Sequence, residues 1–128
     1  MSKKVPARET SPVEQLSNDL VRLLQEKKAK QITVLNLSRV NPYFEYFVIA
    51  SATSRIQMKT LAKEIQKTFP KALHRKHSSL GAPDLESGWL VLDFFDIVVH
   101  IFLDEQRKFY NLERLWGDAQ IIEYPDEA

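Results

Sequence analysis

Two apolar runs, Trp89–Phe94 and Ile97–Phe102, separated only by Phe95 and Asp96, constrain this chain more than any other feature. A strand that is apolar on both faces must be covered on both, so the pair predicts a sheet with helices packed against it. The following segment adds Phe109, Tyr110, Leu112, Leu115 and Trp116. Helical spacing puts Phe109, Leu112, Leu115 and Trp116 on one inward face, with Arg107 and Tyr110 pointing elsewhere. With Trp89, Phe94, Phe95 and Phe102, these rings exceed what one buried face needs. Composition leaves the core and interface readings of them evenly matched. Trp, Tyr and Arg are, however, the residue types that anchor protein interfaces.

The rest of the chain supplies the covering elements. Residues 1–10 are polar, aperiodic and contain Pro6, which reads as a disordered tail. Ser11-Pro12-Val13-Glu14 is a helix start with a capping box, and Val13, Leu16, Leu20, Leu23 and Leu24 form its apolar stripe. Lys27, Lys28 and Lys30 are expected to close that helix at its negative dipole end. Ile32–Leu37 and Tyr46–Ser51 read as strands around the Asn41-Pro42 turn. Thr53 or Ser54 caps a second helix whose stripe is Met58, Leu61, Ala62, Ile65 and Phe69, stopped by Pro70. Lys71–Arg75 reads as a weak strand, and Lys76–Ser87 as a polar loop. Asp104 opens the last helix and Gly117 ends it. Strand–helix–strand connections give parallel pairs and the turn at 94–96 an antiparallel one, so the expected fold is α/β, a mixed sheet flanked by helices. The domain is placed at 11–119, and 120–128 is a C-terminal tail in which Ile121–Tyr124 adds a short edge strand.

Bulk properties narrow the function. The chain has 128 residues, enough for one domain with a core. Its 18 basic and 17 acidic side chains leave a net charge of +1, so no broad field grips nucleic acid. With no cysteine, disulfides, thiolate metal sites and thiol nucleophiles are excluded. Neither a secretory signal nor an apolar run of membrane-spanning length is present, which reads as a soluble, cytoplasmic protein with no membrane contact.

Each candidate site has a competing structural reading. Asp93 and Asp96 bracket the inter-strand turn. A magnesium-dependent nucleotidyltransferase would use such a pair, but it also wants a third carboxylate and a glycine-rich phosphate cradle. The chain has three glycines and none lies in a strand-to-helix turn, so backbone-bonding turn aspartates are the favoured reading. His100, inside an apolar strand, has no nucleophile to serve; it is expected to hydrogen-bond within the fold or at an interface. The basic run His74-Arg75-Lys76-His77 reads as a solvated loop, with a minor RNA phosphate contact as the sharper reading. Ser51-Ala52-Thr53-Ser54 lacks the glycine an anion cradle needs, so capping explains its hydroxyls.

Three ordered motifs make the chain recognisable: Glu45–Ser54 leading into Gln57, Gly88–Phe102, and Glu105–Trp116. Together, over about Glu14 to Ala119, the chain resembles the ribosomal silencing factors, or Iojap-like proteins. The resemblance implies a nucleotidyltransferase-like fold without transferase activity or cofactor. It also implies binding to the large ribosomal subunit through its protein fourteen, which blocks small-subunit joining and represses translation when nutrients are short. A homodimer in the free state is a further implication. Carried over by position, the docking residues are Trp89, Asp93, Asp96, His100, Tyr110, Glu113 and Trp116, with Thr53 and Ser54 nearby. The chain departs from the family pattern at Glu45 and Arg55, where aspartate is common, and at Ala52 and Phe95, where glycine is. Phe95 removes easy access to positive φ, so the hairpin must change turn type or carry strain. Arg55 reverses a charge where the helix dipole favours acid.

Overall fold

The computed structural model describes residues 10–70 and 82–126. Its elements run α1 (Pro12–Glu26), β1 (Lys30–Asn36), β2 (Tyr46–Ala52), α2 (Arg55–Thr68), α3 (Ala82–Ser87), β3 (Trp89–Asp93), β4 (Ile97–Leu103), α4 (Asp104–Tyr110), α5 (Leu112–Leu115) and β5 (Gln120–Glu123). The strands form one mixed sheet in the order β3-β4-β2-β1-β5, with β2 and β4 parallel and the other neighbours antiparallel. Ile121 and Ile122 lie in β5, an edge strand paired to β1.

Alternation along the strands sorts their side chains to two faces. One face carries Val34, Val48, Ala50, Leu90, Leu92, Val99 and Ile101. It is covered by Leu20, Val21 and Leu24 of α1 and by Met58, Leu61, Ala62 and Ile65 of α2. The other carries Leu35, Phe47, Ile49, Val98 and Phe102, and packs on Leu112, Ala119 and Trp116. Here the cover is thinner: Trp89 and Val91 of β3 remain half-buried. The site grows on this second face.

The caps follow from local sequence. Ser11 Oγ accepts the Glu14 amide at 3.1 Å, and Ser54 Oγ accepts the Gln57 amide at 3.1 Å, so Ser54 rather than Thr53 caps α2. The first helix ends earlier than the lysines suggest. Its last turn holds no basic residue, Lys27 is the C-cap, Lys28 has a φ of 67° and Lys30 already begins β1. Residues 82–87, expected as loop, form α3. Arg55 reaches it with Nε donating to the Leu85 carbonyl and Nη2 to that of Glu86, both at 2.8 Å. That fork gives the unexpected cation a definite job, because helix C-termini present unpaired carbonyls. Gly88 follows with a φ of +76°, and a Cβ there would lie 2.7 Å from Gln106 Oε1. Phe95 takes a φ of 70° in the β3–β4 turn, so the hairpin does hold a bulky side chain in the left-handed region. The expected Lys71–Arg75 strand, the His74–His77 run and residues 1–9 lie outside the described residues.

The largest departure concerns the last helix, which breaks at Asn111. Asn111 adopts φ 46°, ψ 63° and ends α4, while its side chain accepts the Arg114 amide at 3.3 Å and starts α5. The break resets the helical phase. Leu112 and Trp116 turn inward as expected, but Phe109 and Leu115 are 80% and 71% exposed, and Arg107 is buried. Asparagine tolerates this conformation and caps at once. Asn111→Ala should therefore lose about 1–3 kcal/mol of stability by urea denaturation, and Asn111→Gly, which keeps the left-handed turn, less than half of that.

Candidate functional site: an aromatic sheet face

Trp89 is the hub of the second face. It opens β3 opposite Phe102 of β4, and its indole stacks on Phe102 at 5.1 Å and 25°. Tyr110, at the end of α4, packs on the indole at 4.5 Å, tilted by 45°, and also meets Phe102 at 6.1 Å. His100 lies diagonal to Trp89 on the neighbouring strand, and the Trp89 Nε1–H donates to His100 Nδ1 at 3.1 Å. His100 in turn meets Phe47 edge-on at 4.6 Å, and Phe47 meets Trp116 at 6.0 Å. At the outer end Phe109 stands perpendicular to Tyr110, 5.0 Å away. A continuous run of contacting rings thus crosses the sheet from Phe109 to Trp116. Its exposed members are Phe109 and, at 41%, Tyr110, with Leu115 alongside.

The sequence-derived site residues divide among several places. Trp89, His100, Tyr110 and Trp116 come together, joined through Phe47 and Phe102. Asp93 and Asp96 sit at the opposite end of β3 and β4, with about 13 Å of strand between Asp93 and Trp89. Asp93 Oδ1 accepts the Phe95 amide at 2.8 Å, and the Asp96 carbonyl accepts the amides of Glu45 and Tyr46. Both residues thereby hold the turn and its junction with β2. Thr53 and Ser54 mark the entry to α2, where Gln57 Oε1 accepts the Thr53 amide at 2.7 Å. Glu113 is turned inward: its Oε2 accepts from Arg107 Nε at 3.1 Å and from Nη2 at 2.6 Å. Phe109 and Leu115 belong to the exposed surface although helical spacing assigned them to the core. The asparagine between them was the signal that could have moved them, since Asn both caps and breaks helices.

Electrostatically the face is quiet. Burial, which leaves His100 only 6% exposed, lowers its pKa from 6.5 to about 3. The ring is therefore neutral, with Nδ1 accepting from Trp89 and the ring proton on Nε2, which has no hydrogen-bond partner among the described residues. A histidine whose folded pKa is depressed binds its proton first in the unfolded chain. Stability from this group should fall by about 1.4 kcal/mol for each pH unit below 6.5, until about pH 3. Denaturation midpoints from pH 7 to pH 4 should thus drop more steeply in the unaltered protein than in His100→Asn. Among the described residues no group of three or more His, Asp or Glu side chains is arranged to hold a metal ion. An open cleft of ≈ 680 Å³ runs beside Arg107, but that guanidinium is already engaged by Glu113, Ser51 and Thr33. No helix among the described residues is long and apolar enough to cross a membrane.

Comparison with known proteins places this geometry in a recognised group. A family model described as "Ribosomal silencing factor during starvation" matches residues 10–128. The chain is 32% identical over 107 residues to ribosomal silencing factor RsfS of Halalkalibacterium halodurans, covering 80% of this chain and 86% of that one. It is also 32% identical over 99 residues to the mouse protein named "Mitochondrial assembly of ribosomal large subunit protein 1", covering 76% of this chain and 43% of the relative. A crystal structure of a Chromobacterium violaceum protein superposes with a TM-score of 0.73 at 29% identity, over 84% of this chain and 88% of that one. The bacterial relative's name is that of a regulator, not of an enzyme.

Proposed function

The chain belongs to the ribosomal silencing factor family, and from that premise we propose that it docks on the large ribosomal subunit and keeps the small subunit from joining it. The contact is with the large subunit's protein fourteen, beside the surface where the small subunit sits, and translation falls when nutrients are short because that place is occupied. The observation that carries this reading is the run of contacting rings from Phe109 through Tyr110, Trp89 and His100 to Trp116, half open on one sheet face. Aromatic anchors surrounded by apolar neighbours are what a protein interface uses for affinity. Blocking by occupancy asks for such a surface and for no bond-making group. The mouse relative's name, with its reference to the ribosomal large subunit, supports the choice of subunit.

Trp89, Tyr110 and Trp116 are the anchors in this reading, with Phe109 and Leu115 at the rim. His100 and Glu113 act from beneath, and Asp93, Asp96, Thr53 and Ser54 shape the ends of the sheet. The scaffold is read as nucleotidyltransferase-like, used without its chemistry. The protein works in the cytoplasm and is a homodimer when free. Sedimentation with separated ribosomal subunits tests the reading. The protein should pellet with the large subunit and not with the small; failure to pellet with the large subunit would end the proposal.

A further inference from the structure

We propose that His100 is a positioning residue: its Nδ1 fixes which way round the Trp89 indole lies, so that Trp89 meets its partner with carbon surface and no free N–H. The inference rests on the docking reading above and deepens it by assigning the chemistry of the central contact.

Burial rules His100 out as a contact residue, since at 6% exposure it lies beneath the face rather than on it. What it touches is Trp89. The indole packs against both Phe102 and Tyr110, at 5.1 and 4.5 Å, and those two rings also meet each other at 6.1 Å. Stacking of this kind orients a ring plane but is indifferent to which edge carries the nitrogen, because dispersion and area burial have no such direction. The 3.1 Å hydrogen bond from Trp89 Nε1–H to His100 Nδ1 does have a direction and selects one of the two flips.

That choice has a visible cost. With Nδ1 accepting, the neutral imidazole keeps its proton on Nε2, and this buried nitrogen has no hydrogen-bond partner among the described residues. An orphaned buried N–H is destabilising, and an aliphatic side chain in the same apolar strand would avoid it. The imidazole therefore earns its place through the acceptor it offers Trp89. Burial also keeps it neutral, the state in which Nδ1 can accept. The partner's surface over Trp89 is accordingly apolar (aliphatic, aromatic or proline) rather than a carbonyl awaiting an indole N–H.

The test combines two readouts. Hydrogen exchange of the Trp89 indole N–H, identified by its loss in Trp89→Phe, is followed by NMR in the free protein. Affinity for isolated large subunits is measured by sedimentation. In His100→Leu the indole N–H should exchange at least about tenfold faster and affinity should fall at least about tenfold, the effect of one displaced anchor. His100→Asn, whose side-chain oxygen falls near the lost Nδ1, should recover both to within about threefold. His100→Gln, which reaches past that position, should behave like His100→Leu and replaces it if the leucine variant does not fold. Unchanged affinity and exchange in either folded loss variant would overturn the proposal, as would His100→Asn no better than His100→Leu. If the unaltered protein ignores the large subunit, the docking reading fails. The exchange arm, which needs no ribosome, still decides whether His100 holds Trp89.

Discussion

Arg107→Ala is expected to destabilise the protein by about 3–5 kcal/mol, as breaking a buried, hydrogen-bonded charge pair does. The guanidinium is 8% exposed and spans the second face of the sheet. Its Nη1 donates to Ser51 Oγ on β2 and its Nη2 to Thr33 Oγ1 on β1, both at 2.9 Å, while Nε and Nη2 grip Glu113. Alanine would leave the part-buried Glu113 carboxylate without its cation and take away the donor that the buried Ser51 and Thr33 hydroxyls accept from. Glu113→Ala should cost a similar amount, because it leaves the buried cation without its counter-ion. Joint replacement, Arg107→Met with Glu113→Leu, should regain most of the loss, since neither charge is then buried alone. Urea denaturation of the four proteins gives the comparison. A Glu113→Ala variant of unchanged stability but weakened ribosome binding would return Glu113 to the docking surface.

Trp89→Ala, by contrast, should act chiefly on docking and weaken large-subunit binding by about 2–4 kcal/mol, between about 30-fold and about 1,000-fold. The indole is the ring on which Phe102, Tyr110 and His100 converge, so its removal opens the centre of the face rather than its rim. Interface energy concentrates at such central, well-packed aromatics, with surrounding contacts serving mainly to exclude water. Phe109→Ala, at the exposed end of the run, should therefore cost less than Trp89→Ala. Sedimentation against a concentration series of large subunits, on variants whose thermal midpoints have been checked, measures both. Equal and small losses for the two would mean that the partner does not sit over Trp89.

What the sequence made readable was whatever depends on neighbours close along the chain. The caps at Ser11 and Ser54 are three-residue patterns, and the apolar stripes of α1 and α2 repeat within a turn or two. The antiparallel strand pair at 89–103 also follows, because two apolar runs joined by so short a turn admit few arrangements. The parallel seat of β4 beside β2 comes only from the fold. The Arg107 network escaped because its partners lie 56 and 74 residues away. A hint was present: Ser51 and Thr33 are polar positions inside apolar strands, and buried hydroxyls need partners. The break at Asn111 escaped for a different reason. One left-handed residue shifts the phase of everything after it, and a periodic reading carried through it assigns Phe109 and Leu115 to the wrong side. His100 was read correctly as a hydrogen-bonding residue; that its partner is the hub tryptophan depends on strand register, which only the fold supplies.

The decisive measurement is subunit joining itself, followed by light scattering as purified small subunits are mixed with large subunits preloaded with this protein. Joined particles should decline in proportion to the fraction of large subunits occupied, and Trp89→Ala protein at the same concentration should leave joining near its uninhibited level. Normal joining by large subunits that demonstrably carry the protein would show that its docked position obstructs nothing.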